Sequence, residues 1–496
     1  MPTTTEWLYL TGLFLILFLF VGIAEKTRSA LGWSPEVTRK FVHISTGIVV
    51  FFTPYLFKTN IPLIVLASIF TIINAISLKA EAFKGMHETE RTTYGTVFYP
   101  ISIILMAVLF WNRYPLILQI GTLILALSDA FAAIVGENIK NAHIFKITRD
   151  GKSIEGSLVF GVTTFLIVVL GIHFLQRQSM SWTALLWIAF LTALVSTVTE
   201  TLSWAGSDNI TAPLAGTFVL HLAIAHPELL TQFSIGLTLA ALVGLLSFRA
   251  RFLDPSGTVA LFLLGTLIFG VGGWLWAGPI LTFFITSSIL SKMWKSRKAE
   301  SNLLFEKSSQ RDWAQVLANG GMAGLSMIFW YIWPKPIWYV IYLGSLAAVT
   351  ADTWATEIGV LSRRSPRLIT TFKKVIPGTS GGISAMGLSG ALLGSFLIAV
   401  VGVSEAPHLF LSPIRAVLIV TIAGAAASLV DSLFGATLQA QFRCTVCHKI
   451  TERRIHCNNT KTIFESGKEW INNDVVNSVC AFSGFLFAAA FARLFC

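Results

Sequence analysis

The sequence predicts an all-α, polytopic membrane protein of about 14–16 transmembrane helices in two related multi-helix units, and three observations carry that prediction. Of 496 residues, 54% are hydrophobic and only 12% are charged, a balance that a water-soluble domain does not reach. Apolar runs of roughly 16 to 25 residues, long enough to cross a bilayer core, begin near residues 7, 41, 61, 96, 115, 157, 182, 211, 232, 257, 274, 313, 337, 381, 413 and 475. Third, one acidic segment occurs twice, once in each half.

Taken in order, the run Trp7 to Ala24 opens the series. Only Met1 to Glu6 precede it, too few for a transit peptide, so it is read as a retained helix. The spans up to the one near 211 form a first unit, residues 1–225. Residues 226–256 are read as a linker and connecting helix, and residues 257–496 as a second unit. The pair flanking Gly272 and Gly273 is readable as one re-entrant hairpin, and losing a pair leaves the parity of the series unchanged.

Charge then orients the series. Net charge is +11, and in so apolar a chain the surplus belongs to loops. The loops at 25–40, 79–95, 137–156, 204–210, 249–256, 292–312, 362–380 and 441–474 lie on one face and hold 30 of the 36 Lys and Arg residues. The opposite face keeps Lys58, Arg113, Arg177, Lys335, Arg415 and Arg493. The first face is expected to be cytoplasmic, with the amino terminus outside, as in a prokaryotic inner membrane. This distribution is weak evidence for nucleic acid, and no such partner is expected.

Most acidic and amide side chains at membrane depth gather at that same face. Asp129 ends span five, Glu200 ends span seven, and Asp208 and Asn209 follow it. Asp352 and Glu357 end span thirteen, Asp431 lies late in span fifteen, and Asn473, Asp474 and Asn477 open span sixteen. Carboxylates at that depth are expensive and are either functional or paired with a cation that fixes packing. The runs Ala126-Leu-Ser-Asp129-Ala-Phe-Ala-Ala-Ile-Val-Gly136 and Val349-Thr-Ala-Asp352-Thr-Trp-Ala-Thr-Glu-Ile-Gly359 match in the small residue before Asp, the aromatic two after it and the Gly seven after it. A basic loop and a small-residue turn follow each. The first pair of features is Arg149 with Lys152-Ser153-Ile-Glu155-Gly156; the second is Lys373-Lys374 with Gly378-Thr379-Ser380-Gly381-Gly382. The order is that of an internal duplication.

This set suits phosphoryl or nucleotidyl transfer at a membrane surface. A nucleoside triphosphate and its divalent ion require carboxylates for the metal, Lys or Arg for phosphate oxygens, and backbone N–H groups that approach closely. Gly beside Ser or Thr supplies the last of these. Neither turn is a Walker A motif, which argues against a soluble P-loop kinase. Asp129 and Asp352 are expected on Mg²⁺, with Glu357 beside Asp352. Lys152 and the Lys373/Lys374 pair are expected on phosphates, and Asp208 or Asp474 on a second metal contact or a proton.

The two halves resemble different families. Residues 1–225 resemble the membrane-embedded phytol kinase and dolichol kinase group, relatives of phosphatidate cytidylyltransferases. The resemblance rests on Arg39-Lys40-Phe-Val-His43-Ile-Ser-Thr-Gly47, Ser128-Asp129-Ala130, Lys152-Ser153-Ile-Glu155-Gly156, Glu200, and Asp208-Asn209-Ile-Thr211. It implies that Asp129, Lys152, Ser153 and Glu155 bind CTP and its metal. Gly151 stands where a second basic residue is often found. The half from about residue 250 resembles the integral membrane family that includes plant phytyl-phosphate kinase. This rests on Ser256-Gly257, Arg311-Asp312-Trp-Ala-Gln315-Val-Leu-Ala-Asn319-Gly320-Gly321, Asp352-Thr353-Trp354-Ala355-Thr356-Glu357, Gly378 to Gly382, Asp431-Ser432 and Asn473-Asp474-Val-Val-Asn477. The two resemblances together imply a natural fusion that phosphorylates an isoprenoid alcohol, phytol above all, and then its monophosphate, with CTP or another nucleoside triphosphate. A cytidylyltransferase making a CDP-lipid, and a transporter or flippase of phosphorylated lipid, are the alternatives. One-sided carboxylates favour an enzyme over a carrier.

Cys444-x-x-Cys447 followed by His456-Cys457 has ligand-like spacing for zinc. No second Cys-x-x-Cys completes it, so inert thiols are the competing reading. Cys480 and Cys496 read as small apolar residues. His43 is either a phosphate or carboxylate partner or a packed ring.

Overall fold

The computed structural model describes residues 2–79, 93–139, 141–148, 150–176, 180–293, 310–457 and 459–495. Most of the expected loops at 79–95 and 292–312, together with Arg149, Arg177 and Cys496, lie outside these. Among the described residues, ten helices are long and apolar enough to cross a membrane, and Gly95–Phe110 is a shorter apolar one. The chain divides into two compact units, Met1–Leu230 and Thr231–Cys496.

In the first unit, α1 (Thr4–Leu31), α2 (Pro35–Leu56), α3 (Ile61–Lys79) and α4 (Gly95–Phe110) precede α5 (Pro115–Leu123). A π-helical turn, Ile124–Ser128, joins α5 to α6 (Asp129–Asn138). α7 (Ile154–Leu175), α8 (Trp182–Thr201) and α9 (Asp208–Ala225) complete it. Local chemistry sets several starts. Thr3 and Glu6 form a reciprocal capping box at α1, Ser34 caps α2 and Ser153 caps α7, each satisfying an otherwise orphaned N–H. Burial is concentrated in the α5–α6 rod, where Ile117, Leu118, Ile120 and Ile124 are fully enclosed. Leu15 and Leu19 on α1 are 63% and 59% exposed, as expected of side chains that face lipid.

The second unit begins with α10 (Leu230–Arg249), whose Phe233 and Gly236 pack on Gly270. α11 (Pro255–Lys292) consists of two helical arms that meet at Gly273, where the backbone is non-helical with φ 63° and ψ −155°. A straight helix of this length would extend about 57 Å. Instead Lys292 reaches the carbonyl of Ala250 and lies 3.8 Å from the centre of the Phe252 ring, so the two arms form the hairpin expected around Gly272 and Gly273. α12 (Trp313–Ile332), α13 (Ile337–Gly359), α14 (Ala385–Glu405), α15 (Pro413–Thr437) and α16 (Asn473–Phe495) follow. α13 is the central rod and is buried without interruption from Tyr339 to Ala351.

Hydrocarbon supplies no hydrophobic force between helices, so packing relies on small residues that let backbones approach. A Cβ on Gly344 of α13 would collide with Ala488 of α16, and one on Gly424 of α15 would press on Ala347. The fold departs from an all-helical one only in short connections. β1 (Ile144–Phe145) pairs with β2 (Lys152–Ser153), and β3 (Arg367–Leu368) with β4 (Gly382–Ile383). Between α15 and α16, β5 (Gln441–Arg443), β6 (Ile450–Thr451) and β9 (Ile463–Ser466) form a three-stranded sheet beside a hairpin of β7 (Ile455–His456) and β8 (Thr460–Lys461).

Candidate active sites

In the first unit, the residues singled out by sequence converge. The π turn ends at Ser128, whose hydroxyl accepts from Thr164 at 2.9 Å. Asp129 follows at once; a π turn inserts an extra residue and is frequent where a helix must aim a functional group. Lys40 of α2 donates to Asp129 Oδ2 at 2.5 Å, and His43 Nε2 lies 3.8 Å from the same oxygen. His43 is also 3.1 Å from the Leu125 carbonyl and stacks edge-on against Tyr99. Arg39 pairs with Glu36 at 2.5 Å and lies within electrostatic range of Asp129 and Asp208.

Lys152 occupies the other side of the cluster. Its ammonium contacts Glu200 and lies 2.9 Å from Asp208 Oδ2. Burial works against its charge, but Asp208 and Glu200 more than offset this and hold the lysine well above its ordinary range. Asn209 donates to the Gly206 carbonyl and to Asp208 Oδ1, holding the start of α9. Glu155 turns to the rim, where it accepts from the His143 N–H at 3.0 Å and meets His143 Nδ1 at 2.7 Å, bracing the β1–β2 connection. Arg39, Lys40 and Lys152 thus stand among Glu36, Asp129, Glu200 and Asp208, an ion-paired set whose cations can be transferred to phosphate oxygens.

The second unit encloses a cavity of about 630 Å³. Its lining collects motifs that lie far apart in sequence: Arg311 and Asn319 at the start of α12, Asp352 and Glu357 at the end of α13, the turn Gly378 to Gly382, Asp431 of α15, and Asn473 and Asn477 of α16. The Asp352 and Asp431 carboxylates are close enough to act on each other electrostatically. Asp431 Oδ2 is buried and has no hydrogen-bond partner among the described residues. Two adjacent carboxylates in this setting require a shared proton or a cation between them, so the donor set fits Mg²⁺.

Each flanking motif has a structural cause. Asp254 caps α11 through Gly257 N–H at 2.8 Å and accepts from Ser256, whose hydroxyl oxygen accepts the Trp313 N–H at 3.0 Å. A Cβ on Gly257 would strike the Arg311 carbonyl. Arg311 is held above Phe283 and Phe284, and burial lowers its guanidinium to about 10. Gly381 adopts φ +76° where a Cβ would meet Ser432 and Ala436 of α15, and Ser380 donates to Gln439 at 2.5 Å.

Three expectations change. Lys373 and Lys374 are exposed on the β3–β4 connection and are not among the described residues lining the cavity; the carbonyl of Lys373 is tied to Leu368 at 2.9 Å. Asp474 opens α16 beside Asn473 but is likewise absent from that lining. The internal duplication has a different register. Gly136 and Gly359 pack against Ser153 with Gly156 and against Ser384 with Gly387, respectively. Ser153 and Ser384 each cap the next helix through the N–H three residues on, at 3.1 and 3.0 Å. The counterpart of Ser153-Ile-Glu155-Gly156 is therefore Ser384 to Gly387, not Gly378 to Gly382, and Lys152 corresponds to Ile383. Gln315, quoted above only as part of a motif, also lines the cavity, as do Glu452 and Arg453, which sequence reasoning missed. Arg453 lay among charges read only as a basic loop.

A second pocket adjoins this cavity. Leu239, Val243, Leu261, Leu264, Ile280 and Phe284 form its apolar walls, and Arg311, Gln315 and Asn319 line it and the polar cavity alike. In the first unit, Arg39 and His43 likewise border a pocket walled by Leu17, Phe18, Leu66 and Ile103.

The model of the family described as integral membrane protein DUF92 matches residues 238–485. Protein PGR of Arabidopsis thaliana is 35% identical over 233 residues, covering 43% of this chain and 81% of that protein. A phytol kinase of Synechocystis is 34% identical over 204 residues, covering 40% and 84%. Protein VTE6, chloroplastic, of Arabidopsis thaliana is 28% identical over 236 residues, covering 46% and 61%. No solved structure matches the chain.

Proposed function

We propose, for a chain that belongs to the integral membrane protein DUF92 family, a bifunctional isoprenoid kinase. The first unit phosphorylates an isoprenoid alcohol, phytol being the leading candidate in view of the similar phytol kinase. The second phosphorylates the resulting monophosphate to the diphosphate. The donor is CTP or another nucleoside triphosphate. The observation that carries this reading is the shared edge of Arg311, Gln315 and Asn319. An apolar pocket suits an isoprenyl tail, the cavity beyond it suits a polyphosphate, and the guanidinium between them suits the monophosphate head.

In the first unit, the alcohol oxygen attacks the terminal phosphorus of the donor, the bond to the bridging oxygen breaks, and nucleoside diphosphate leaves. The hydroxyl proton passes to a carboxylate, for which Asp129 and Asp208 are the candidates. Lys40, Lys152 and Arg39 exchange carboxylate partners for phosphate oxygens, so that their charge is present where negative charge accumulates. In the second unit, an oxygen of the ionised monophosphate attacks and no hydroxyl proton needs removal. Arg311 and Arg453 neutralise acceptor and donor there, taking the place of a lysine at position 383. Asp352 and Asp431, with Glu357 near, would hold Mg²⁺, which would supply charge neutralisation of the donor phosphates. The concentration of Lys and Arg on the loops of one face supports cytoplasmic sites and an external amino terminus.

The test is product analysis by mass spectrometry after the full chain, in detergent with Mg²⁺, meets phytol and each nucleoside triphosphate in turn. The expected result is monophosphate followed by diphosphate, with nucleoside diphosphate released. A CDP-lipid with pyrophosphate would replace the kinase by a cytidylyltransferase. Lipid movement across proteoliposomes with no nucleotide consumed would replace it by a carrier.

A further inference from the structure

Residues 438–472, between α15 and α16, fold without a core of their own. Of their side chains, Phe442, Cys444, Thr451 and Ile471 are among the few that are buried, whereas Ile450, Ile455, Ile463 and Phe464 are exposed. A segment of this size ordinarily needs a covalent or metal staple to hold a fixed shape. The structure offers one. Cys444 and Cys447 sit in the β5–β6 connection, which is closed by Cys444 N–H to the Lys449 carbonyl and His448 N–H to the Cys444 carbonyl, both at 3.0 Å. His456 and Cys457 sit in the β7–β8 connection. The ligand atoms of these four residues all lie within 4.8 Å of one another. Cys447 Sγ and Cys457 Sγ are 3.5 and 3.2 Å from His456 Nδ1. The edges of a tetrahedral zinc site, with Zn–S about 2.3 Å and Zn–N about 2.0 Å, are about 3.5 Å. None of the three thiols is in a disulfide.

Four such ligands leave no open coordination position, which makes the site structural rather than catalytic. Its position gives it a use. Glu452 and Arg453, between the two pairs of ligands, line the cavity of the second unit. Arg453 N–H donates to Thr451 at 3.2 Å, and the Thr462 hydroxyl donates to the Arg453 carbonyl at 2.8 Å. The same segment carries Gln439, which accepts from Ser380 in the glycine-rich turn.

We propose that Cys444, Cys447, His456 and Cys457 bind one Zn²⁺, and that this ion locks the segment so that Arg453 is presented to the cavity. The positioning of Arg453 toward a phosphate rests on the kinase reading; the metal site does not.

The first measurement is elemental analysis of the full chain purified in detergent without chelator, with about one zinc per chain expected. Cys447→Ser and Cys457→Ser should lose the metal, and Cys480→Ala, at a thiol buried between α13 and α15, should keep it. Because a cysteine variant can fail to fold, the wild-type chain grown with Co²⁺ gives a second readout: intense thiolate-to-cobalt charge transfer with tetrahedral d–d absorption. Chelation should raise hydrogen exchange selectively across residues 441–466. Metal-free protein from zinc-supplemented cells with an unchanged melting curve, or a Cys444–Cys447 disulfide in the native chain, would overturn the site. These readouts need no substrate, so failure of the kinase reading leaves them intact. Arg453→Ala should keep zinc and raise the KM for the nucleoside triphosphate in the second step at least about tenfold; zinc retained with an unmoved KM would overturn the positioning of Arg453.

Discussion

Lys152 and Asp431 occupy opposite electrostatic situations, and substitutions at them should behave in opposite ways. Lys152 neutralises Glu200 and Asp208 in a mostly buried setting. Lys152→Met leaves two carboxylates facing each other, which costs on the order of 3 kcal/mol and lowers the melting temperature. Alcohol phosphorylation should fall by about 10²–10³-fold. The double variant Lys152→Met with Glu200→Gln should recover stability but not activity, and recovery of both would assign the lysine to packing alone. Asp431 faces the like charge of Asp352, and among the described residues nothing donates to its buried Oδ2. Asp431→Asn should therefore leave the thermal stability of the magnesium-free chain equal or higher, while phosphorylation of the monophosphate falls about 10²–10³-fold. Reduced stability with activity unchanged would remove Asp431 from the site. Spacing singled out Asp129, Asp352, Glu200, Asp208 and Asp431, which the structure gathers into one cluster per unit, because a carboxylate at membrane depth is anomalous whatever surrounds it. Lys373, Lys374 and Arg453 read alike as loop cations, and spacing does not say that Arg453 is the one that lines the cavity.

Elements were more legible than their junctions. Apolar length announced the helices, and the paired glycines announced the hairpin in α11, since no other residue type tolerates its turn. At Gly273 the backbone lies in a region essentially reserved for glycine. Gly273→Ala should destabilise the chain by about 1–3 kcal/mol, read as a lower melting temperature in detergent. Gly321 makes a contrasting case. It is helical within α12, and a Cβ there meets nothing within 4 Å, so Gly321→Ala should stabilise by up to about 1 kcal/mol. A melting temperature of Gly273→Ala that is unchanged or raised would mean that the hairpin does not depend on the reversal at Gly273. The π turn before Asp129 was invisible, because one inserted residue leaves helical apolarity intact. So was the register of the duplication. Ser153 and Ser384 are ordinary capping residues by composition, and only the contacts of Gly136 and Gly359 show that they correspond.

At the scale of the whole molecule, two units carry the same order of parts: a buried central rod ending in Asp129 or Asp352, a two-stranded connection, a serine-capped helix, a late carboxylate at Glu200 or Asp431, and a helix opened by Asp208-Asn209 or Asn473-Asp474. Shared order with different charge agrees with the two successive phosphorylations proposed above. The first unit has Lys152 among its carboxylates and on that reading would meet a neutral hydroxyl. The second has Ile383 at that position, an apolar pocket and Arg311 between that pocket and the polar cavity, and would meet an anion. The prediction is that the two sites are chemically independent. Asp129→Asn should abolish conversion of the alcohol while supplied monophosphate is still converted to diphosphate at the wild-type rate. Asp352→Asn should do the reverse and let monophosphate accumulate. Each carboxylate lies on the central rod of its own unit, so its loss removes charge from one cluster and leaves the other cluster's donors in place. Both rates are read in one assay by following monophosphate and diphosphate over time, with melting curves to show that each variant is folded. Loss of both steps from either single substitution in a folded chain would mean one composite site rather than two.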